Sequence, residues 1–414
     1  MVLKKTPFTL LFFFILITIV MGAACQLPVR QQTESSTEPD LEATIMALQT
    51  QMIETSKQTE VPGSEVTLSP TEPSEIKQPD PSSPDLYQGF YALQDGSFQA
   101  YDFNGNALAV DFPAGSSNWY GDNEINAFTD EIFYAEFSSN PGAFRVNAQG
   151  TQKLEFINAQ DPVYIAISPD RQKIAWSTSS WGEGNLKTEI FYANLDGSNQ
   201  QLIDFITASE QVDLNLNFFP VRWTEDGRLI YATGMTGIGG YMLYWGYNGM
   251  YIFNPLNNSI RTLVDDQERL GICLSSISDD LTKIAIVCGG EGNVRVRSLD
   301  SGTETIFPIL EDQVIAGAAR FSPSGEWLAY VIQRADPMQE LGKIVVVPVD
   351  GSQPPRVVTT VEDGSFDVEG WVSEDHLLVT RSYMSSGEIS VLKLNRDGSE
   401  VTQVAVGKFM DFIP

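Results

Sequence analysis

Residues 87–414 repeat at a step of about 49 residues, and a step of that size is typical of very few architectures. The repeated unit is a short apolar strand, a Ser or Thr that opens an acidic turn, and a second apolar strand. The six turns are Thr129-Asp130, Ser168-Pro169-Asp170, Thr224-Glu225-Asp226-Gly227, Ser278-Asp279-Asp280, Ser322-Pro323-Ser324-Gly325 and Ser373-Glu374-Asp375. Two antiparallel strands are therefore predicted in each repeat.

A second unit, a β-branched or aromatic strand that ends in a tight polar turn, occurs seven times. The seven turns are Asn104-Gly105, Gln149-Gly150, Asp196-Gly197, Asn257-Asn258, Asp300-Ser301-Gly302, Asp350-Gly351 and Asp397-Gly398. Residues of these types tolerate the positive φ that short hairpins require. Two hairpins per repeat predict an all-β, seven-bladed propeller of four-stranded antiparallel blades over residues 87–414.

The first repeat lacks its acidic turn, while an apolar strand, Lys408 to Ile413, is left over after the seventh hairpin. If this C-terminal strand pairs inside the first blade, which starts at Tyr87, every blade has four strands and the ring has no open edge. We therefore expect both ends of the domain to close one blade.

The turns and the strands that follow them resemble a known family. The segment Phe321-Ser322-Pro323-Ser324-Gly325-Glu326-Trp327-Leu328-Ala329-Tyr330 is similar to the repeats of TolB-type β-propellers, the WD-repeat-like class of bacterial envelope proteins. The resemblance implies the fold. Its matching residues are turn and core positions, so it implies little about a ligand.

The N-terminus predicts export. Lys4 and Lys5 precede an apolar run that is short for a membrane span and typical of a signal peptide, which we assign to residues 1–24. Gly22-Ala23-Ala24-Cys25 resembles the lipobox of bacterial lipoproteins, although Gly22 stands where that family usually has a larger apolar residue. The resemblance implies lipidation of Cys25 and anchoring to the outer face of a bacterial membrane or cell surface. Ordinary signal cleavage and an uncleaved anchor are the alternatives.

Residues 25–86 are rich in Pro, Ser, Thr and Glu and predict a disordered stalk, because they bury too little apolar area to offset chain entropy. Leu41, Ile45, Leu48 and Met52 follow a helical spacing, which predicts a short helix within 40–57. This segment is interpreted either as a transient amphipathic helix or as a weak self-association seam.

Charge and composition exclude several functions. With 25 Lys and Arg against 54 Asp and Glu, the net charge is −29, which disfavours nucleic acid as a partner. The single histidine, His376, excludes sites that need two imidazoles and is interpreted as a turn residue. No nucleophile elbow, phosphate loop or Cys-x-x-Cys pair occurs. We expect no cofactor, no metal and no catalytic residue.

Cys273 and Cys288 flank the acidic turn of the fifth repeat. In an unbroken hairpin that pairs Ser278 with Lys283, the two cysteines stand opposite each other, which makes a disulfide geometrically plausible in an exported protein. Two free core cysteines are the alternative.

The variable loops must share the ring face opposite the tight turns. These loops are 114–124, 177–189, 205–220, 233–249, 265–271, 333–343 and 362–369. The ligand-binding candidates on them are Trp119, Tyr120, Trp181, Tyr241, Tyr244, Trp245, Tyr247, Asp122, Glu183, Asp213 and Asp336. Exposed aromatic rings among acids suit a glycan or a peptide. Alternatively, the Gly- and Tyr-rich loop of the fourth repeat packs its own rings.

These features favour a monomeric propeller that is attached to the membrane through its lipid anchor only and binds a protein or glycan without catalysis. One alternative is a polysaccharide hydrolase or lyase that uses carboxylates such as Asp122, Glu183 or Asp213 over the central channel. Another is a structural envelope component, as the resemblance to TolB suggests.

Overall fold

The computed structural model describes residues 86–109, 125–136, 142–157, 164–182, 185–209, 216–235, 246–265, 273–287, 293–308, 310–311, 314–334 and 342–414. The predicted signal peptide, the stalk with its helix at 40–57 and the lipidation site at Cys25 lie outside these residues. Within the described ranges, no helix is long and apolar enough to cross a membrane.

The described residues form seven antiparallel sheets. The first sheet consists of β1 (Gly89–Gln94), β2 (Ser97–Tyr101) and the C-terminal β27 (Lys408–Ile413). The second consists of β3 (Ile125–Ala127), β4 (Glu131–Glu136), β5 (Gly142–Asn147) and β6 (Gly150–Lys153). The third consists of β7 (Tyr164–Ile167), β8 (Lys173–Gly182), β9 (Asn185–Asn194) and β10 (Gln201–Ser209).

The remaining four sheets each contain consecutive strands. They consist of β11 (Leu216–Trp223), β12 (Leu229–Met235), β13 (Gly249–Asn254) and β14 (Ser259–Val264); of β15 (Leu274–Ile277), β16 (Lys283–Val287), β17 (Val294–Ser298) and β18 (Glu304–Phe307); of β19 (Val314–Phe321), β20 (Trp327–Arg334), β21 (Gly342–Pro348) and β22 (Arg356–Val361); and of β23 (Gly364–Trp371), β24 (His376–Tyr383), β25 (Ile389–Asn395) and β26 (Val401–Val406).

The predicted seven-bladed propeller and its closure are confirmed. β27 pairs with β1, so the first blade takes its innermost strand from the C-terminus and β1 becomes its second strand. An isolated bridge from Tyr101 to Ala107 occupies the place of a fourth strand. The innermost strands of neighbouring blades contact one another around the axis, as β27 does with β3 and β3 with β7.

The core lies between adjacent sheets. Between the sixth and seventh blades, Val331 and Val346 pack on Val368 and Val379, all of them buried. Tryptophans also join blades by hydrogen bonds: the Nε1–H of Trp371 donates to the carbonyl of Arg320 at 3.0 Å. Since each sheet buries both faces against its neighbours, each blade depends on two others.

The ring has two ends. The turn after the first strand of a blade and the turn after its third strand lie at the same end, because successive strands are antiparallel. We call this end the turn face and the opposite end, where the variable loops connect the strands, the loop face.

One assumption made from the sequence is wrong. The hairpin of β15 and β16 is not an unbroken ladder, because its register shifts by one residue between Leu274 and Ser276. The amide of Val287 donates to the carbonyl of Cys273 at 2.7 Å. Cys273 is buried, whereas Cys288 lies outside the described residues, so the disulfide stays a prediction.

We expect a Cys273–Cys288 bond in protein recovered from an exporting cell, because the two residues flank neighbouring strand ends and oxidising compartments preserve such bonds. Peptide mass spectrometry without reduction should detect one linked pair. Full alkylation of both thiols before reduction would contradict the prediction.

Candidate functional site

The acidic turns of the turn face are stabilised from within. Ser168 donates its hydroxyl to Asp170 at 2.6 Å, and the amide of Gln172 donates to the same carboxylate at 3.0 Å. These bonds hold the pKa of Asp170 below its ordinary value. In the fourth blade, the hydroxyl of Thr224 donates to the carboxylate of Asp226 in the same way. These acids therefore serve as turn caps.

Other side chains of the turn face connect neighbouring blades. Arg171 forms an ion pair with Asp130 at 2.6 Å, and Arg222 forms one with Asp279 at 3.0 Å. These residues are already engaged by the ring itself.

His376 and Asp102 are also used by their own turns. The hydroxyl of Ser373 lies 3.1 Å from Nδ1 of His376. The carboxylate of Asp102 accepts bonds from the amides of Asn104 and Asn106, each at 2.8 Å. No group of three or more His, Cys, Asp or Glu that could hold a metal ion occurs among the residues that the structure describes.

The described chain begins at the turn face. The amide of Leu86 donates to the carbonyl of Val372 at 2.8 Å, next to the acidic turn of the seventh blade. The C-terminus lies beside it, since Gln88 donates its side-chain amide to the carbonyl of Pro414 at 3.0 Å. Both ends of the ring-forming chain therefore lie at the turn face.

Tyr87 reaches towards the axis at that end. Its ring stacks on Phe412 with centroids 4.4 Å apart. Burial raises its pKa, and so do the charges of Asp279 and Asp411, while Arg222 lowers it. Because Arg222 and Asp279 belong to the fourth and fifth blades, across the ring from β1, we place Tyr87 over the turn-face end of the axis.

The innermost strands carry bulges in five of the seven blades. A bulge adds a residue to one strand and redirects its side chain. The extra residue of β23 is Glu369, between Val368 and Gly370. A glutamate thus stands on an innermost strand, one of the strands that surround the axis.

Glu369 is the most perturbed carboxyl group of the described chain. Burial raises its pKa to about 8, and the charge of Asp367 adds to the rise. Arg320 of the sixth blade and Lys408 of the first lower the pKa. Influences from both neighbouring blades indicate that Glu369 faces the axis, where its side chain remains partly accessible. The raised pKa favours the protonated form of this carboxyl group, which can donate a hydrogen bond.

Most of the predicted ligand residues lie outside the described residues. These are Trp119, Tyr120, Asp122, Glu183, Asp213, Tyr241, Tyr244, Trp245 and Asp336. The backbone of Trp181 pairs with that of Leu186 at the end of β8, where the strand reaches the loop face. The assignment of these residues as ligand-binding therefore stays a prediction.

Tyr247 is the one candidate whose side chain is described. Its backbone exchanges hydrogen bonds with Leu274, and its ring lies 5.7 Å from that of Phe219. Phe219 in turn lies 4.5 Å from Tyr164. Tyr247 is half-buried in a row of rings that joins the third and fourth blades, so at least part of its surface is used in packing.

The sequence reasoning did not single out Asp367 and Glu369. The sequence does contain a signal for them. In β23 two carboxylates alternate with apolar residues, whereas the innermost strands of the other blades consist mainly of apolar or small residues. Their position on the axis depends on closure of the ring, which local patterns do not reveal.

No protein-family model and no curated protein matches the chain. Solved structures do. The chain is similar to a structure from a study of two prolyl endopeptidases, with 10% identity and a TM-score of 0.50. This match covers 89% of the present chain but 55% of the other, so the chain spans about half the length of that protein.

Two further similar structures are TolB from Acinetobacter baumannii and an oligogalacturonate lyase from Vibrio parahaemolyticus. For TolB the identity is 14%, the coverage 78% of this chain and 80% of that one, and the TM-score 0.38. For the lyase the corresponding values are 9%, 78%, 85% and 0.46. At identities this low, the likeness to solved structures concerns the fold alone.

Proposed function

We propose that the protein is a membrane-tethered, extracytoplasmic propeller that binds a protein or glycan through its loop face and catalyses no reaction. One observation carries the proposal: the chain enters the ring at the turn face, at Leu86, beside the C-terminus. A tether that leaves from one face turns the opposite face away from the point of attachment.

The turn face is poorly suited to a large partner. Arg171 with Asp130 and Arg222 with Asp279 pair between blades on this face, and a partner that covers them would have to displace these contacts. The aromatic candidates are predicted to lie on the loop face, and aromatic residues contribute most of the energy at many binding interfaces.

In this proposal, the lipid anchor attaches the protein to the membrane and the stalk sets the distance between the membrane and the ring. Lipidation of Cys25 would hold the protein to the membrane without a spanning helix. A stalk of residues 25–86 would span about 40 Å as a flexible coil and up to about 190 Å if fully extended by its prolines. The loop face would then be presented well clear of the membrane surface.

Retention on a glycan array and photo-crosslinking in the producing cell test the proposal, both with the full-length protein. We expect either glycan retention without new reducing ends or protein adducts from a crosslinker at position 245. Trp245→Ala should weaken retention about thirtyfold, as expected for a central aromatic contact.

Leu256→Ala is the matched control. Leu256 is 90% exposed on a tight turn of the turn face, so the variant should bind like the parent protein, and a crosslinker there should give no adduct. Adducts from position 256 alone, or no retention and no adduct from position 245, would reject the proposal.

A second candidate function is cleavage of a polysaccharide. The axial pair Asp367 and Glu369 favours it, since glycosidases use two carboxyl groups, one of them protonated. New reducing ends that disappear in Glu369→Gln would establish this function in place of simple binding.

A further inference from the structure

A cleft of about 480 Å³ opens between the fifth and sixth blades on the turn face. We propose that this cleft binds a neutral mono- or disaccharide. The residues that carry the argument are Lys283, Ser298, Thr305, Glu326, Asp350 and Gln353. The site lies at the opposite end of the ring from the proposed loop-face ligand. The two proposals are therefore tested independently.

The cleft lies where the turn of the sixth blade packs loosely on the neighbouring blade. In the seventh blade, a Cβ added to Gly398 would lie 2.7 Å from the carbonyl oxygen of Val358, so that turn abuts backbone. In the sixth blade, a Cβ at Gly351 would meet only the methyl group of Thr305, at 3.1 Å. The contact there is with the tip of one side chain, and space remains beside it.

The walls of the cleft offer hydrogen-bonding groups that the fold does not use. Among the described residues, the side chains of Thr305, Glu326 and Gln353 form no hydrogen bond with another protein group. Glu326 and Gln353 are exposed and Thr305 is half-buried. These groups present a hydroxyl, a carboxylate and an amide to one space.

The charges of the cleft disfavour an anionic ligand. Nζ of Lys283 lies 3.8 Å from Asp280 and donates to the hydroxyl of Thr282 at 3.4 Å, so its charge is partly balanced. Glu326 and Asp350 on the other wall repel anions.

A sugar matches this combination of groups. Each sugar hydroxyl both donates and accepts, so it can donate to a carboxylate such as Glu326 and accept from an amide such as Gln353. The half-buried side chain of Trp327 adds apolar surface for the C–H face of a pyranose ring. The volume falls within the range of small-molecule pockets.

Saturation-transfer NMR of the full-length protein with glucose, galactose, N-acetylglucosamine, maltose and cellobiose tests the site, with glucuronate as the charged comparison. We expect transfer to at least one neutral sugar and weaker or no transfer to glucuronate. Thr305→Ala, Glu326→Gln and Gln353→Ala should each lower the affinity about tenfold, as expected for the loss of one hydrogen bond in the complex.

Glu400→Gln and Thr402→Ala are the matched controls, since they remove the same kinds of group from exposed positions on the outer edge of the seventh blade. They should leave the affinity unchanged. All five substitutions fall on exposed or half-buried side chains, and unchanged melting curves will show that the variants fold. Absence of transfer to every neutral sugar, equal weakening by the controls, or preference for glucuronate would overturn the proposal.

Discussion

Deleting residues 409–414 should unfold the whole ring rather than fray one end. The deletion removes most of β27 and with it the pairing of the first blade to its innermost strand. It also removes the buried side chains of Phe409 and Ile413 and the bond from the amide of Ala127 to Asp411, 2.8 Å long.

The free-energy cost of losing these buried side chains is large enough to unfold the domain. Truncating one buried Phe or Ile to Ala costs about 2–5 kcal/mol, so losing both costs about as much as the 5–15 kcal/mol that stabilises a typical domain. An open repeat array would lose only its terminal unit, because its repeats contact only their neighbours. In a closed ring, the first blade supports both the second and the seventh.

Far-UV circular dichroism and hydrogen exchange measure the effect. We expect no cooperative melting transition in the truncated protein and loss of exchange protection in every blade. Removal of the exposed Pro414 alone is the control and should change melting little, because it removes only one exposed hydrogen bond, from Gln88. If protection disappears only from residues 89–101, closure does not hold the ring together.

The substitution Glu369→Gln should stabilise the protein at alkaline pH. Burial raises the pKa of Glu369 from 4.5 to about 8, so the folded protein holds a proton that the unfolded chain has lost. The stability contributed by this group is therefore complete below about pH 4.5 and is lost as the pH rises to about 8. Glutamine keeps the size and the neutral state and has no proton to lose.

We expect Glu369→Gln to be more stable than the parent at pH 8.5, by on the order of 3 kcal/mol, and to lose most of this advantage at pH 5. Denaturant unfolding at both pH values measures the difference. Glu388→Gln makes the same chemical change at an exposed position of the same blade and should alter neither value. Equal destabilisation by Glu369→Gln at both pH values would contradict the assigned environment.

The fold was predictable because its signals are local. Turns such as Asp196-Gly197 and Ser168-Pro169-Asp170 encode their own conformation through residues that accept positive φ or cap the turn, and their even spacing fixes the number of blades. Closure followed from one unpaired strand, Lys408 to Ile413, and from the cost of leaving an edge open.

The details of the site were less predictable. The bulge lies at two successive serines, Ser275 and Ser276, and the assumption of an unbroken hairpin placed the register at Cys273 one residue out. The environment of Glu369 depends on Arg320 and Lys408, which only ring closure brings near it. The cleft beside Thr305 depends on how closely two blades approach, which neither strand specifies alone.

The position at which the chain joins the ring also has a mechanical consequence. Tension applied at Leu86 passes directly into β1, which is held by five paired positions to β2 and by five to β27. A pull away from the turn face runs along the strand, so these pairings are loaded together in shear and do not unzip in sequence. The strand that carries the load is therefore held on both sides, by the C-terminal strand and by its own hairpin.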